Sequence, residues 1–143
     1  MPHVKNRALL HFVWTTHERM PWIKPEIASA VHRYIQTVAH NDGCEVLAVG
    51  GVSDHVHLFV GMSATVSIAR LMQHIKGGSS HLIQHNLLPG SFFRWQSGYA
   101  IFGVSPSPKS RIVAYIQNQE EHHQNGTLWW EAEPDDEDTT DSE

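Results

Sequence analysis

The segment Asp54-His55-Val56-His57-Leu58-Phe59-Val60 sets two imidazoles two positions apart. Side chains alternate between faces along a strand, so His55 and His57 share one side while Val56, Leu58 and Val60 turn to the other. Two neutral imidazoles on a rigid strand form half of a divalent-metal site, with the remaining positions open to substrate oxygens or water. A pair is not a whole site, and HxH also arises by chance in a chain with twelve histidines. Nearer the C-terminus, Tyr115, Gln119 and His122 stand at i, i+4 and i+7, which is one face of a helix. A phenol there can act as a nucleophile toward a metal-polarised electrophile, and Gln119 can lend an amide oxygen to the metal. The plainer role for a tyrosine flanked by Ile112, Val113 and Ile116 is a core residue with a wet hydroxyl.

These residues need elements to hold them. Residues 8–16, rich in aromatic and β-branched side chains, read as a strand. From Pro25, Ile27, Ala30, Val31, Tyr34, Ile35 and Val38 recur at helical spacing, and Asn41-Asp42-Gly43 stops the helix. Glu45 to Val52 and Asp54 to Val60 form an antiparallel hairpin, with Gly50-Gly51 marking a bulge or a close approach. A second helix, capped by Ser63 or Thr65, carries Ile68, Leu71, Met72, Ile75, Leu82 and Ile83 on one stripe. Gly77-Gly78 within it predicts a kink, a break or a tight contact. Residues 87–97 read as a loop, Gly98 to Val104 as a strand, and 109–124 as a last helix after Ser105-Pro106-Ser107-Pro108. This order is the split βαβ pattern of an α+β, ferredoxin-like fold: an antiparallel sheet with helices on one face, plus a C-terminal helix bearing the tyrosine. The opposite face is expected to stay open to a ligand or a second subunit.

At 143 residues and 16.2 kDa the chain is the size of one domain. With 41% apolar residues, 17% charged and no apolar run near the roughly 20 residues of a membrane span, the expectation is a soluble protein without membrane partners. A lone cysteine, Cys44, and an N-terminus without the apolar stretch of a secretory signal predict the reducing cytoplasm. The formal charge is −5, but residues 131–143 hold eight acidic residues and no Lys or Arg. That leaves seven acidic against ten basic residues in 1–130, a body of +3. The reading is a domain over 1–130 followed by an acidic, disordered tail over 131–143.

Five blocks in order resemble the single-tyrosine HUH transposases of single-strand insertion sequences and their repeat-associated relatives. They are Trp14-Thr15-Thr16, Val52-Ser53-Asp54-His55-Val56-His57-Leu58, Ile75-Lys76-Gly77-Gly78-Ser79-Ser80, Trp95-Gln96-Ser97-Gly98-Tyr99, and Tyr115 through His123. The resemblance implies an enzyme that cleaves and rejoins single-stranded DNA with hairpin ends. It further implies Tyr115 as nucleophile, His55, His57 and Gln119 as ligands of Mg²⁺ or Mn²⁺, and a 5′-phosphotyrosine intermediate. A homodimer with composite sites, the tyrosine helix completing the partner's site, is also implied. Arg7, Arg70, Lys76, Arg94, Lys109 and Arg111 are candidates for phosphate contacts, and Trp95 and Tyr99 for base stacking. His122 and His123 match the end of the last block without an assigned role.

Other classes fit less well. A histidine-triad phosphohydrolase needs a third histidine where the chain has Phe59, and Lys76-Gly77-Gly78-Ser79 lacks the pattern and preceding strand of a phosphate loop. A ferredoxin-like module that binds single strands without cutting would not need Tyr115 or Gln119. A domesticated relative that processes repeat hairpins shares the chemistry and differs only in target.

Overall fold

The computed structural model describes residues 8–105 and 109–119; of Lys109 and Ser110 it describes the backbone alone. Arg7, His122, His123 and the acidic tail lie outside the described residues. Strand β1 (Leu9–Thr15) is followed by a short turn (His17–Arg19), helix α1 (Pro25–Asn41), and strands β2 (Glu45–Val52) and β3 (His55–Gly61). Helix α2 (Ile68–Leu82) then runs into a π-helical segment (Ile83–Leu87), strand β4 (Ala100–Val104) and helix α3 (Lys109–Gln117). The sheet order is β2-β3-β1-β4 with every pairing antiparallel. This is the split βαβ arrangement expected from the sequence.

Helix α1 opens on Pro25, whose missing N–H costs nothing in a first turn, and the chain leaves it through Gly43 at φ +88°. Its buried residues Ile27, Val31, Ile35 and Ala39 pack with Leu71, Met72 and Ile75 of α2 onto Phe12, Trp14, Val56, Leu58 and Val60 of the sheet. The cap of α2 differs from expectation: Ser67, adjacent to the first helical residue, accepts from the Arg70 backbone N–H at 3.1 Å, while Ser63 and Thr65 hydrogen-bond each other. No break occurs at Gly77-Gly78. Gly78 instead gives room to Tyr34, whose hydroxyl would lie 2.2 Å from any added Cβ, so it marks close packing of α1 on α2. In β2 the bulge falls between Val46 and Ala48, and Gly50 is the point of close approach.

The second face of the sheet is not open throughout. Helix α3 lies on it against β2 and β3, burying Ile112 and Ile116 on Ala48 and Phe59. Strand β3, central in the sheet and covered on both sides, is buried along its whole length. At Gly50 a Cβ would stand 2.5 Å from the Ile116 carbonyl oxygen, so a side chain there is incompatible with the helix's position.

Candidate active site

The α3-covered face of the sheet carries the histidine pair. Register sets Thr15 opposite His55, Val13 opposite His57 and His11 opposite Phe59, all on one face. His55 and His57 have no exposed surface, and their ring centroids are 5.1 Å apart. One turn of α3 brings Tyr115 edge-on to His57, ring centroids 6.2 Å apart at 84°. Gln119, two residues past the helix, has Oε1 3.4 Å from Nε2 of His55. The two histidines, Tyr115 and Gln119 therefore meet in one place, and they do so within a single chain.

Each imidazole is held from behind. Nδ1 of His55 donates to Oδ1 of Asp54 at 2.7 Å, and Nδ1 of His57 lies 2.9 Å from Nε2 of His11. The other oxygen of Asp54 accepts from Nε of Arg19 at 3.2 Å. Burial raises the Asp54 carboxyl pKa, but the hydrogen bond and charge of His55 together with the Arg19 guanidinium outweigh it and hold it below the ordinary value. Arg19, which reaches Asp54, and its neighbour Glu18 both lie in the left-handed region at φ +54°, at a cost on the order of 1 kcal/mol for each non-glycine residue. Gln96, 2% exposed, steadies that turn by accepting from His17 Nδ1 at 3.1 Å.

The donor set fits a divalent cation. With both Nδ1 atoms engaged, coordination would go through Nε2 of His55 and of His57, and Oε1 of Gln119 is already beside the first. A carboxylate behind a ligating histidine is the usual means of fixing its tautomer and raising its basicity. On the same face, across from His55, the Thr15 hydroxyl is buried and has no hydrogen-bond partner among the described residues, which fits an environment completed by something besides protein.

Two residues expected at DNA are engaged within the fold. Trp95 is 8% exposed, packs on Trp14 and Phe93, and donates from Nε1 to Ser79 Oγ at 2.9 Å, which places its ring in the core. Lys76 donates from Nζ to the carbonyls of Gln96 and Gly98 at 2.7 and 2.9 Å, tying the loop before β4 to α2. Spacing gave no sign of either, because an aromatic or a lysine in a loop-facing position reads alike whether it points in or out. Lys76→Met is expected to lower stability by about 1–2 kcal/mol, measured by denaturant unfolding, as a part-buried carbonyl of Gln96 and an exposed one of Gly98 lose their donor. Burial also pushes the Lys76 amine down to about 8, from an ordinary value of 10.5. The folded protein then releases this proton before the unfolded chain does, so the stability from this group is complete above about 10.5 and is lost as pH falls through about 8. The stability difference between wild type and Lys76→Met is expected to widen over that interval as pH rises.

The remaining candidates are at the surface. Arg70, Arg94 and Arg111 are exposed, and Tyr99 is 36% exposed. Arg111 stands four residues before Tyr115 on α3, one turn along the same face. Arg94 contacts Nε2 of His17 at 2.8 Å. His11 and Asp54 were missed in the sequence; the signals were a histidine at an inward position of an otherwise apolar strand, and an acid adjacent to the HxH.

The family model named Transposase IS200 like matches residues 4–119. The chain belongs to this family of DNA-processing transposases. The ISDra2 transposase TnpA of Deinococcus radiodurans is 25% identical over 116 residues, covering 76% of this chain and 81% of that protein. Among solved structures, a crystal structure of a candidate transposase from Deinococcus radiodurans R1 superposes with a TM-score of 0.62 at 23% identity, over 83% of this chain and 95% of that one. A REP-associated tyrosine transposase bound to a REP hairpin superposes with a TM-score of 0.63 at 15% identity, over 86% of this chain and 74% of that one. These two likenesses bear on the fold. No helix among the described residues is long and apolar enough to cross a membrane.

Proposed function

We propose that this transposase cleaves and rejoins single-stranded DNA at insertion-sequence ends, with Tyr115 as nucleophile and His55, His57 and Gln119 as the ligands of Mg²⁺ or Mn²⁺. The observation that carries the reading is the convergence of these four side chains from β3 and α3 on one buried patch. The hydroxyl oxygen of Tyr115 attacks the scissile phosphorus, the bond from phosphorus to the 3′ oxygen breaks, and that oxygen departs with a proton as a free 3′-OH. The 5′ phosphate remains on Tyr115, and a second 3′-OH attacking it reverses the step and joins new strands. The bound cation would supply charge to the phosphate and to the leaving oxygen. Two imidazoles and an amide are neutral donors, so they leave that charge available to a phosphodiester anion. Arg111, one turn before the nucleophile, supplies a further phosphate contact, with Arg70, Arg94 and Tyr99 along the strand's path. The catalytic unit is the body over 1–130, with the acidic 131–143 outside it.

The DNA partner is a single strand with hairpin ends, supported by the family and by a structural relative bound to a REP hairpin. The test is a denaturing gel of the protein with end-labelled single strands from the flanks of its own gene. A covalent protein–DNA band in Mn²⁺ that is absent in EDTA is expected. Oligonucleotide binding with no such band would favour the non-catalytic binding module. Cleavage of repeat hairpins in place of element ends would make it a domesticated relative with the same chemistry.

A homodimer is part of the proposal, with one revision. The composite site implied by the resemblance has the helix acting on the partner, whereas Gln119 and Tyr115 stand beside the histidines of their own chain. Mixed Tyr115→Phe and His57→Ala proteins are therefore expected to stay inactive in the gel assay. Recovery of the covalent band in the mixture would mean that the helices are exchanged.

A further inference from the structure

The strand beside the histidine pair carries a third buried imidazole that the proposed chemistry does not use. His11 on β1 is 2% exposed, and its Nε2 lies 2.9 Å from Nδ1 of His57. The two residues are diagonal neighbours across the β1–β3 pairing, their ring centroids 5.0 Å apart at 35°. Phe59 and Phe102 flank His11 at 6.4 and 5.9 Å. A contact between two imidazole nitrogens holds one proton, so one ring donates and the other accepts.

For His57 that choice decides what the ring can do. With the proton on Nδ1, Nε2 carries a lone pair; with the proton on Nε2, that nitrogen has none to offer a cation. We infer that His11 is a positioning residue: it accepts the hydrogen bond from Nδ1–H of His57 and so holds His57 in the tautomer whose Nε2 can coordinate a divalent cation. The inference rests on the metal-centre reading above. Asp54 does the corresponding work for His55. The two supports differ in charge, and the difference has a reason. A second carboxylate behind His57 would add negative charge next to the path of a phosphodiester, whereas an imidazole accepts the same hydrogen bond and adds none. It also suits its surroundings, since a neutral ring can be buried among Phe59 and Phe102 at less cost than a carboxylate.

Two measurements test this on the full chain. Ring ¹⁵N resonances of His57 in the metal-free wild-type protein, assigned against His57→Gln, are expected to show a protonated Nδ1 and a bare Nε2. A proton on Nε2 overturns the inference without any variant of His11. The second is Mn²⁺ affinity by electron paramagnetic resonance. His11→Leu is expected to weaken binding about 10–100-fold, the scale of losing a ligand's outer support. His11→Gln, whose amide oxygen can accept the same hydrogen bond, should recover most of it. Affinity of His11→Leu within twofold of wild type, while His57→Ala loses binding, overturns the positioning role alone. Equal Mn²⁺ binding by wild type and His57→Ala sinks the metal-centre reading, and the tautomer measurement, which needs no metal, separates that failure from this one.

Discussion

Tyr115→Phe is expected to abolish the covalent protein–DNA band and to slow strand cleavage by roughly 10³-fold or more, the scale on which loss of a nucleophile acts. The substitution is a narrow one. Tyr115 is 7% exposed and its ring packs edge-on to His57, a contact that phenylalanine keeps. Only the hydroxyl goes, so unfolding should change by no more than about 1.5 kcal/mol. Mn²⁺ binding should persist, because neither imidazole nor the Gln119 amide is touched. The gel is most informative with the label placed at the 3′ end, since a 5′-phosphotyrosine carries the 3′ fragment with the protein and releases the other fragment with a free 3′-OH. A covalent band surviving in Tyr115→Phe would point to a different nucleophile. Cleavage surviving without any covalent band would instead mean hydrolysis by water, the outcome that belongs to a histidine-dependent phosphohydrolase.

The parts of this site that are legible in the sequence are those fixed by the period of a single element. Strand alternation puts His55 and His57 together, and the helical repeat does the same for Tyr115 and Gln119. In the structure β3 has no bulge between the histidines, and although α3 ends at Gln117, Gln119 stays one turn from Tyr115, its Nε2 donating to the Tyr115 carbonyl at 3.4 Å. Relations between elements were harder to read. The split βαβ pattern leaves the face opposite α1 and α2 open, yet Phe59 lies there with the two histidines and is a residue on which Ile112 and Ile116 of α3 rest. An apolar side chain in register with two histidines was the available sign that something covers them. Lys76 and Trp95 show the opposite case. Their types suit a nucleic-acid surface, but contact with Ser79 and with the Gln96 and Gly98 carbonyls is a property of how α2 meets the following loop, and no local pattern encodes it. His11 belongs with these, since its function depends on a diagonal contact across two strands far apart in sequence.

The position of α3 rests on little, and that makes Gly50 a sensitive point. Ile112 and Ile116 are 2% and 1% exposed, and burying both contributes about 3–6 kcal/mol as an upper estimate. A nine-residue helix has almost no stability by itself, so this packing on Ala48 and Phe59 is what keeps it folded and in place. Gly50→Val introduces a Cβ 2.5 Å from the Ile116 carbonyl oxygen, a backbone atom that cannot rotate away. Valine suits a strand, so β2 should keep its pairing with β3 and the strain should fall on the helix. Displacing α3 by an ångström or more separates Tyr115 and Gln119 from His55 and His57, and misplacement on that scale costs on the order of 100-fold in rate. The expected result is a loss of covalent adduct of about that size, with the core between the sheet and α1 and α2 intact by near-ultraviolet circular dichroism. Gly103→Ala on β4, where nothing lies within 4 Å of an added Cβ, is the matched control and should leave the rate unchanged. Near-wild-type adduct formation by Gly50→Val would mean that the helix works from a different position, and the single-chain arrangement of the four side chains would lose its claim to be the working one.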